Sequence, residues 1–503
     1  MDGQTATSLL LERYPEYSTT TKLDDLRATE YSYLDEQHHV YLDYTGAGLA
    51  ASSQHNAHRD RFMHATFGNP HSSNPTSQAA TDLVEHARAR ILRHFNASPD
   101  EYTIVFTPNA TGAARLVGES YPWRRSSRLV LTADNHNSLN GLRQFAESSH
   151  ANTAYVPIYD SENVRIREED VIAALSRSTV YSPRTWLEKK KKQQKGRDGT
   201  RTGGGRRGLF AYPAQSNFTG VRHPLSWVRL AQSRGYDVLL DAAAYLPTST
   251  LDLSELRPEF VMVSWYKLFG VPTGVGCLIA RRDALSRLNR PWFAGGTVQA
   301  ATVGLNWHLM EKDEAAFEDG TINYLSIPDV TVGLEWLSSI GIETIATRVR
   351  CLTGWAIERL LTLTHSHGGK MIVLYGPASM HDRGGTICFN IMDTNGTIFD
   401  ERLVATESAQ ANISLRTGCF CNPGAGEAAL DIKGNVLARL ALARAKSYQD
   451  FLDVLDVPAV GAIRVSFGIA SVAADVESFV AFVEETYQDR IATKKNLTPR
   501  ARC

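Results

Sequence analysis

The chain has 503 residues, 43% of them hydrophobic and 21% charged, which is typical of a soluble globular protein with room for two domains. A formal net charge of −1 excludes a general electrostatic attraction to nucleic acid or membranes. Six cysteines in this length do not make a disulfide framework. The sequence shows neither a signal peptide nor an apolar run of membrane-spanning length, so we expect a cytoplasmic protein.

Short apolar runs alternate with amphipathic segments through the first half of the chain. The runs predict strands at 40–44, 103–106, 129–132, 154–157, 209–211, 238–240, 260–264 and 276–280, with helices at 85–95, 113–119 and 139–147. This order predicts an α/β fold in which a mostly parallel sheet is covered by helices on both faces.

The pattern changes after about residue 325. A long helical stretch at 330–340 and 342–363 precedes four strands and a last helix, at 371–375, 384–391, 413–415, 461–466 and 475–487. We therefore expect a large domain over 40–325 and a smaller α+β domain over 326–490. An N-terminal segment, 1–39, should pack on the small domain, and 491–503 should form a tail.

One segment interrupts the large domain. Residues 184–207 contain ten Lys or Arg against Glu188 and Asp198, together with three consecutive glycines and few apolar residues. This composition predicts a disordered basic insertion. A tolerated surface loop is favoured over a localisation signal or a contact with a polyanion.

The stretch Ile413–Gly424 reads I-S-L-R-T-G-C-F-C-N-P-G and carries two thiols one residue apart, Cys419 and Cys421. Glycines and a proline force a loop after a short strand, so a thiol there should be mobile and reachable, and Arg416 could favour its reactive thiolate. A buried pair or half of a metal site is the alternative. Because no second Cys or His pair lies nearby at ligand spacing, a nucleophilic thiol is preferred and no metal is expected.

Three strand ends carry further polar groups. Asp241 follows the strand at 238–240, Lys267 follows the strand at 260–264, and T-P-N-A-T-G at 107–112 precedes a helix. Ligands of α/β proteins bind at such strand ends. Taken singly, these groups could be a helix cap, a surface lysine and a plain capping loop.

Together, the three groups meet the needs of pyridoxal 5'-phosphate. This cofactor needs an amine for its aldehyde, a carboxylate for its pyridinium nitrogen and an anion-binding loop for its phosphate. His136 could stack on its ring, and Asn217 could reach its ring oxygen.

At this point the chain resembles the class V aminotransferase family of fold-type I pyridoxal-phosphate enzymes, and within it the cysteine desulfurases. The loop R-T-G-C-F-C-N-P-G is most similar to that of the molybdenum cofactor sulfurases, in their N-terminal desulfurase-like part. Further similar stretches are L-D-Y-T-G-A-G at 42–48, F-G-N-P-H-S at 67–72, D-N-H-N-S at 134–138, Y-P-A-Q-S-N-F-T-G at 212–220 and S-W-Y-K-L-F-G-V-P-T-G at 264–274.

The resemblance implies roles for individual residues. Lys267 would bind the cofactor aldehyde, Asp241 the pyridinium nitrogen and Asn217 the phenolic oxygen, while His136 would stack on the ring. The residues implied for the phosphate are Ala110, Thr111, Gly112 and Ser264, with Thr297 reaching the phosphate of a neighbouring subunit in a homodimer. Those implied for sulfur and substrate are Cys421, which accepts the sulfur, and Arg464 and Arg416, which face the substrate carboxylate.

The implied reaction is that of a cysteine desulfurase of the molybdenum cofactor sulfurase type. Sulfur from L-cysteine would become a persulfide on Cys421, L-alanine would leave, and the sulfur would pass to molybdenum cofactor or another acceptor. The full-length eukaryotic sulfurases carry a further C-terminal domain and a Cys where this sequence has Gly426. Three explanations stay open: a separate partner protein could contribute to delivery, the chain could be a fragment, or the desulfurase could serve another pathway. A pyridoxal-phosphate C–S lyase, another class V enzyme, and a non-catalytic scaffold are the alternatives.

Overall fold

The computed structural model describes residues 3–176, 207–432, 450, 454 and 461–493. The predicted basic insertion therefore lies outside the described residues, apart from Arg207. Among the described helices, none is both long and apolar enough to cross a membrane.

The strands and helices are set out here in chain order. The strands are β1 (Val40–Tyr41), β2 (Tyr102–Thr107), β3 (Arg128–Thr132), β4 (Asn152–Val156), β5 (Gly208–Pro213), β6 (Tyr236–Asp241), β7 (Phe260–Ser264), β8 (Gly276–Arg281), β9 (Val298–Thr302), β10 (Trp307–Met310), β11 (Ile372–Tyr375), β12 (Thr386–Ile391), β13 (Ile413–Ser414), β14 (Arg416–Gly418) and β15 (Ala462–Ser466). The helices are α1 (Gly3–Arg13), α2 (Lys22–Glu30), α3 (Tyr33–Glu36), α4 (Ser52–His64), α5 (Pro75–His94), α6 (Ala110–Ser120), α7 (Asn137–Asn140), α8 (Leu142–Ser148), α9 (Glu168–Ser176), α10 (Trp227–Ser233), α11 (Trp265–Phe269), α12 (Arg282–Leu285), α13 (Pro328–Ile340), α14 (Ile342–Thr362), α15 (Glu401–Gln410), α16 (Pro423–Ala429) and α17 (Ala473–Tyr487). Short 3-10 turns lie at Pro15–Thr20, Leu246–Thr248 and Asp313–Phe317.

Seven strands form the central sheet in the order β2-β8-β7-β6-β5-β3-β4. All neighbours pair in parallel except β8, which is antiparallel to both β2 and β7. Both faces of the sheet are buried. Along β6, for example, Val238 and Leu240 belong to one hydrophobic cluster and Leu239 to another. Because helices cover both faces, the apolar strands read as continuous runs, and the predicted mostly parallel sheet is confirmed.

A second, four-stranded antiparallel sheet has the order β11-β12-β15-β14. The N-terminal segment packs beside it, on α14 and α17, and the ion pairs of two buried arginines join these parts. Arg27 donates to Asp475 at 2.8 Å, and Arg348 donates to Asp24 at 2.7 Å. The domain boundaries themselves stay a prediction.

The sequence prediction differs from the structure in several places. The helix expected at 139–147 is two short helices, α7 and α8, that meet at Gly141. Helix α5 begins at Pro75, ten residues before its predicted start, where Asn74 caps it by accepting from the Ser77 N–H. The hairpin of β9 and β10 was not predicted, because most of its side chains are exposed and show no alternation of buried and exposed positions.

Candidate active site

A cavity of about 260 Å³ opens at the carboxyl ends of the parallel strands. The predicted site residues that line it are Ala110, Thr111, His136, Asn217, Asp241, Ser264 and Lys267. The other predicted residues lie outside its lining: Gly112, Thr297, Arg416, Cys421 and Arg464. The folded chain therefore brings together the residues predicted for the cofactor ring and amine.

Asp241 and Lys267 supply opposite charges to this cavity. Asp241 ends β6, is 7% exposed and accepts a hydrogen bond from the Ala243 N–H at 2.9 Å. Burial raises the pKa of Asp241, against the opposing effects of that N–H and of Lys267. Burial lowers the pKa of Lys267, which Asp241 partly offsets. The Lys267 amine makes no hydrogen bond with any described residue, so it is available to a ligand.

The Lys267 amine is placed by a short helix between two fixed points. Helix α11 starts directly after β7 and is followed by Gly270, whose φ of +80° is left-handed. A Cβ added at Gly270 would lie 2.2 Å from the backbone nitrogen of Ala50, so a side chain does not fit there. The tight approach of residues 49–50 thus fixes where the lysine helix ends.

The predicted phosphate-binding loop is the N-terminus of α6. Asn109 caps this helix, because its side-chain oxygen accepts from the Gly112 N–H at 2.8 Å. The hydroxyls of Thr111 and Ser138 lie 2.7 Å apart at the cavity wall. The first N–H groups of a helix have no partner within it and attract anions, so this end of the cavity suits a phosphate.

His136 is held with a defined tautomer. Its Nδ1 accepts from the Ser138 N–H at 3.1 Å, so the neutral ring carries its proton on Nε2. Burial, reinforced by the charges of Lys267 and Arg464, lowers the pKa of His136 to about 4. The imidazole is therefore neutral at pH 7, as suits a ring that stacks on another ring.

An amine, a buried carboxylate, an anion-binding helix end and a neutral imidazole thus surround one cavity. These are the groups that pyridoxal phosphate requires, so the residues present fit that cofactor.

The Asn217 side chain also contacts the loop that carries the two cysteines. Its N–H donates to the Phe420 carbonyl at 2.8 Å, and its oxygen accepts from Asn422 at 3.0 Å. The second N–H of this amide group is the one that a cofactor oxygen could use.

The Cys421 thiol is exposed and lies on the turn that Asn217 contacts. Both Phe420 and Cys421 have left-handed backbones, with φ of +52° and +53°. Cys419, in contrast, is 8% exposed and disulfide-bonded. Of the two cysteines in the loop, Cys421 is thus the reachable thiol.

The two arginines predicted for the substrate, Arg464 and Arg416, both pair with Asp43. Asp43 was not predicted as part of the site. Asp43 accepts from Arg464 at 2.9 Å and from Arg416 at 2.7 Å. Arg464 also donates to the Asn217 carbonyl at 3.0 Å and lies over the Phe420 ring, 4.8 Å from its centre. Burial lowers the pKa of Arg464, and Asp43 opposes this effect. The position of Asp43, two residues after the end of β1 in the L-D-Y-T-G stretch, was the available signal.

Thr297 lies apart from this cavity. Its hydroxyl accepts from the Ala294 N–H at 2.8 Å and donates to the Ala294 carbonyl at 2.9 Å, so it closes its own turn. Its predicted role in a neighbouring subunit stays a prediction.

Comparison with known proteins places this geometry in a family. The family model described as aminotransferase class-V matches residues 40–187 and 204–479. The chain is 34% identical over 486 residues to the molybdenum cofactor sulfurase of Arabidopsis thaliana, covering 92% of this chain and 58% of that protein. It is 35% identical over 486 residues to the molybdenum cofactor sulfurase of Homo sapiens, covering 92% and 51%. The chain therefore spans between half and three fifths of the length of these relatives.

Solved structures agree on the fold. A cysteine desulfurase of Thermococcus onnurineus aligns with a TM-score of 0.70 at 20% identity, over 92% of this chain and 97% of that chain. The cysteine desulfurase CsdA of Escherichia coli aligns with a TM-score of 0.67 at 21% identity, over 92% and 98%. The unmatched residues between the two parts of the family match, 188–203, fall within the predicted basic insertion. By its family match and its fold, the chain belongs to the class V aminotransferases.

Proposed function

We propose that this protein is a pyridoxal-phosphate-dependent cysteine desulfurase of the molybdenum cofactor sulfurase type, a sulfurtransferase that carries sulfur as a persulfide on Cys421. The observation that carries the proposal is the exposed Cys421 thiol on a turn bonded to Asn217 in the wall of the Lys267–Asp241 cavity. The relatives described above, named as sulfurases and desulfurases, support it.

The residues of the cavity would hold the cofactor from several sides. Lys267 would bind its aldehyde, Asp241 would keep its ring nitrogen protonated, and His136 would stack on its ring. The start of α6 at Ala110 and Thr111, with Gly112 in its first turn and the Ser264 hydroxyl, would hold its phosphate. When bound, pyridoxal phosphate supplies an aldehyde for the substrate amine and an electron-poor ring that labilises bonds at the amino-acid carbons.

The arginines would hold the carboxylate of L-cysteine. Arg464 and Arg416 carry two positive charges, and Asp43 balances only one of them. One substrate carboxylate neutralises the group, so the site suits an amino acid with a single free carboxylate. A guanidinium binds a carboxylate through two parallel hydrogen bonds, which also fixes the direction of the substrate.

The sulfur step follows from the position of Cys421. Its thiolate attacks the sulfur of L-cysteine, and a new S–S bond forms as the bond between that sulfur and the β-carbon breaks. The electron pair of the broken bond stays with the carbon skeleton, which takes up a proton and leaves as L-alanine. Cys421 is then a persulfide: the two sulfur atoms have together lost the two electrons that the substrate carbon has gained.

The remaining parts of the proposal concern assembly and destination. We propose a cytoplasmic homodimer in which Thr297 of one protomer faces the phosphate site of the other. The sulfur acceptor is proposed to be molybdenum cofactor or a molybdoenzyme, reached through a partner protein. The names of the sulfurase relatives support this acceptor class.

The test is L-cysteine turnover by the cofactor-loaded protein, with alanine, pyruvate and protein-bound persulfide quantified. Cys421→Ala should abolish alanine formation, whereas Cys351→Ala, a change at a buried thiol in α14, should not. Pyruvate in place of alanine would show a C–S lyase instead, and full alanine formation by Cys421→Ala would show that Cys421 does not accept the sulfur.

A further inference from the structure

The turn that carries Cys421 has an unfavourable backbone. Two consecutive non-glycine residues, Phe420 and Cys421, adopt left-handed φ values of +52° and +53°. Such a pair persists only where the surroundings hold it, and it is commonest at functional sites. The contacts of this turn therefore show what fixes the thiol.

Three consecutive residues of the turn are bonded to loops of the large sheet. The Phe420 carbonyl accepts from the Asn217 side chain at 2.8 Å. The Cys421 carbonyl accepts from the Asn137 backbone N–H at 2.7 Å. The Asn422 side chain donates to the Asp134 carbonyl at 2.7 Å. Each bond joins residues far apart in the sequence, so the thiol turn is attached at three points to the wall of the cavity.

Asn422 has two tasks in this arrangement. It is 0% exposed, and its side-chain oxygen accepts from the Ala425 N–H at 3.3 Å, which caps α16. Its side-chain amide nitrogen donates both to the backbone carbonyl of Asp134 and to the side-chain oxygen of Asn217, the latter at 3.0 Å. The amide–amide bond orients Asn217 so that its own N–H reaches Phe420. Asn422 thus connects two of the three attachment points.

The loop that receives these bonds is itself fixed. Asp134 is fully buried, and its carboxylate pairs with His223 at 2.7 Å. His136, whose imidazole lines the cavity, lies between Asp134 and Asn137 in the chain. The thiol turn is therefore attached to the same loop that presents His136.

We propose that Asn422 is a positioning residue for the reaction: together with Asn217 it fixes the Cys421 turn against the His136 loop, so that the thiol is held where it meets the substrate sulfur. The expected effect on the rate of persulfide formation rests on the proposed desulfurase function. The expected effect on the order of the turn does not. Displacement of a reacting group by about 1 Å can lower a rate by about 100-fold.

Asn422→Asp tests this role. Aspartate keeps the oxygen that caps α16 but loses both N–H donors, so the helix is retained while the attachment is lost. In the cofactor-loaded enzyme, we expect persulfide formation on Cys421 to slow by about tenfold or more. KM for L-cysteine and the amount of cofactor bound should not change. Hydrogen exchange of the peptide spanning 418–424 should become about tenfold faster.

Asn412→Asp is the matched control. Like Asn422, Asn412 donates a side-chain amide N–H to a backbone carbonyl, that of Gln37 at 2.7 Å, but this bond is not part of the thiol turn. It should leave the rate of persulfide formation unchanged.

Two results would overturn the proposal. One is a wild-type rate with wild-type hydrogen exchange at 418–424 in Asn422→Asp. The other is loss of cofactor absorption in parallel with the rate, which would assign Asn422 to the cofactor pocket. If Asn422→Asp does not fold, the same measurements are made on Asn422→Ser, which also keeps a capping oxygen. If the wild-type protein forms no persulfide, the proposed function fails, and hydrogen exchange alone still decides whether Asn422 fixes the turn.

Discussion

Removal of the Asp43 charge should destabilise the protein far more than removal of one of its partners. In Asp43→Asn, the Arg464 guanidinium, whose side chain is 3% exposed, loses its only carboxylate among the described residues. An uncompensated buried charge costs about 3–5 kcal/mol. In Arg416→Gln, by contrast, the side chain removed is 50% exposed, and Asp43 keeps Arg464. A solvent-exposed pair contributes about 0–1 kcal/mol.

The double variant Asp43→Asn/Arg464→Gln sharpens this prediction. It removes both buried charges at once, so it should be more stable than the sum of the two single variants predicts. The assay is equilibrium unfolding in urea followed by tryptophan fluorescence, with the slope of the transition checked for equality among variants. Equal costs for Asp43→Asn and Arg416→Gln, or additive costs in the double variant, would refute the reasoning from burial.

Three further changes test the site. Lys267→Ala should abolish the covalent attachment of pyridoxal phosphate, measured as protein mass after borohydride reduction; retention of attachment would assign another amine. His136→Gln should reduce the acid sensitivity of the cofactor-free protein. The pKa of His136 in the folded protein is about 4, below its usual 6.5, so its contribution to stability is lost as pH falls through this interval. Roughly 2 kcal/mol should be lost between about pH 7 and pH 5 in the wild type and kept in the variant, and equal losses in both would contradict this. Gly270→Ala should cost at least about 1–3 kcal/mol, because it strains a left-handed backbone and meets Ala50, and wild-type unfolding would show that the contact relaxes freely.

Much of the fold could be predicted because its strands are buried on both faces. The runs at 238–240 and 260–263 are apolar throughout, and β7 was predicted to the residue. Asp241 and Lys267 could be singled out for the same reason, since a charged residue within four positions of the end of such a run is unusual. The parallel order then placed both at one edge of the sheet.

The contacts that complete the site could not be predicted in this way. Asp43 and Arg416 are 373 residues apart, and Asn422 and Asp134 are 288 residues apart. No local pattern reports such pairs, because each depends on how the second sheet lies against the first. The left-handed pair Phe420–Cys421 was equally unpredictable, since neither residue type favours that conformation.

The attached turn has a consequence for the kinetics of sulfur transfer. A persulfide on a long swinging arm moves to its acceptor at a rate set by the arm. The Cys421 sulfur, held at three points of the turn, stays at one place on the surface, so the acceptor has to diffuse to it. Transfer should be second order until the encounter complex saturates, and its rate constant should depend on the approach of the acceptor rather than on the motion of an arm. A small thiol and a protein acceptor would then differ mainly in how well each fits the surface around one fixed atom.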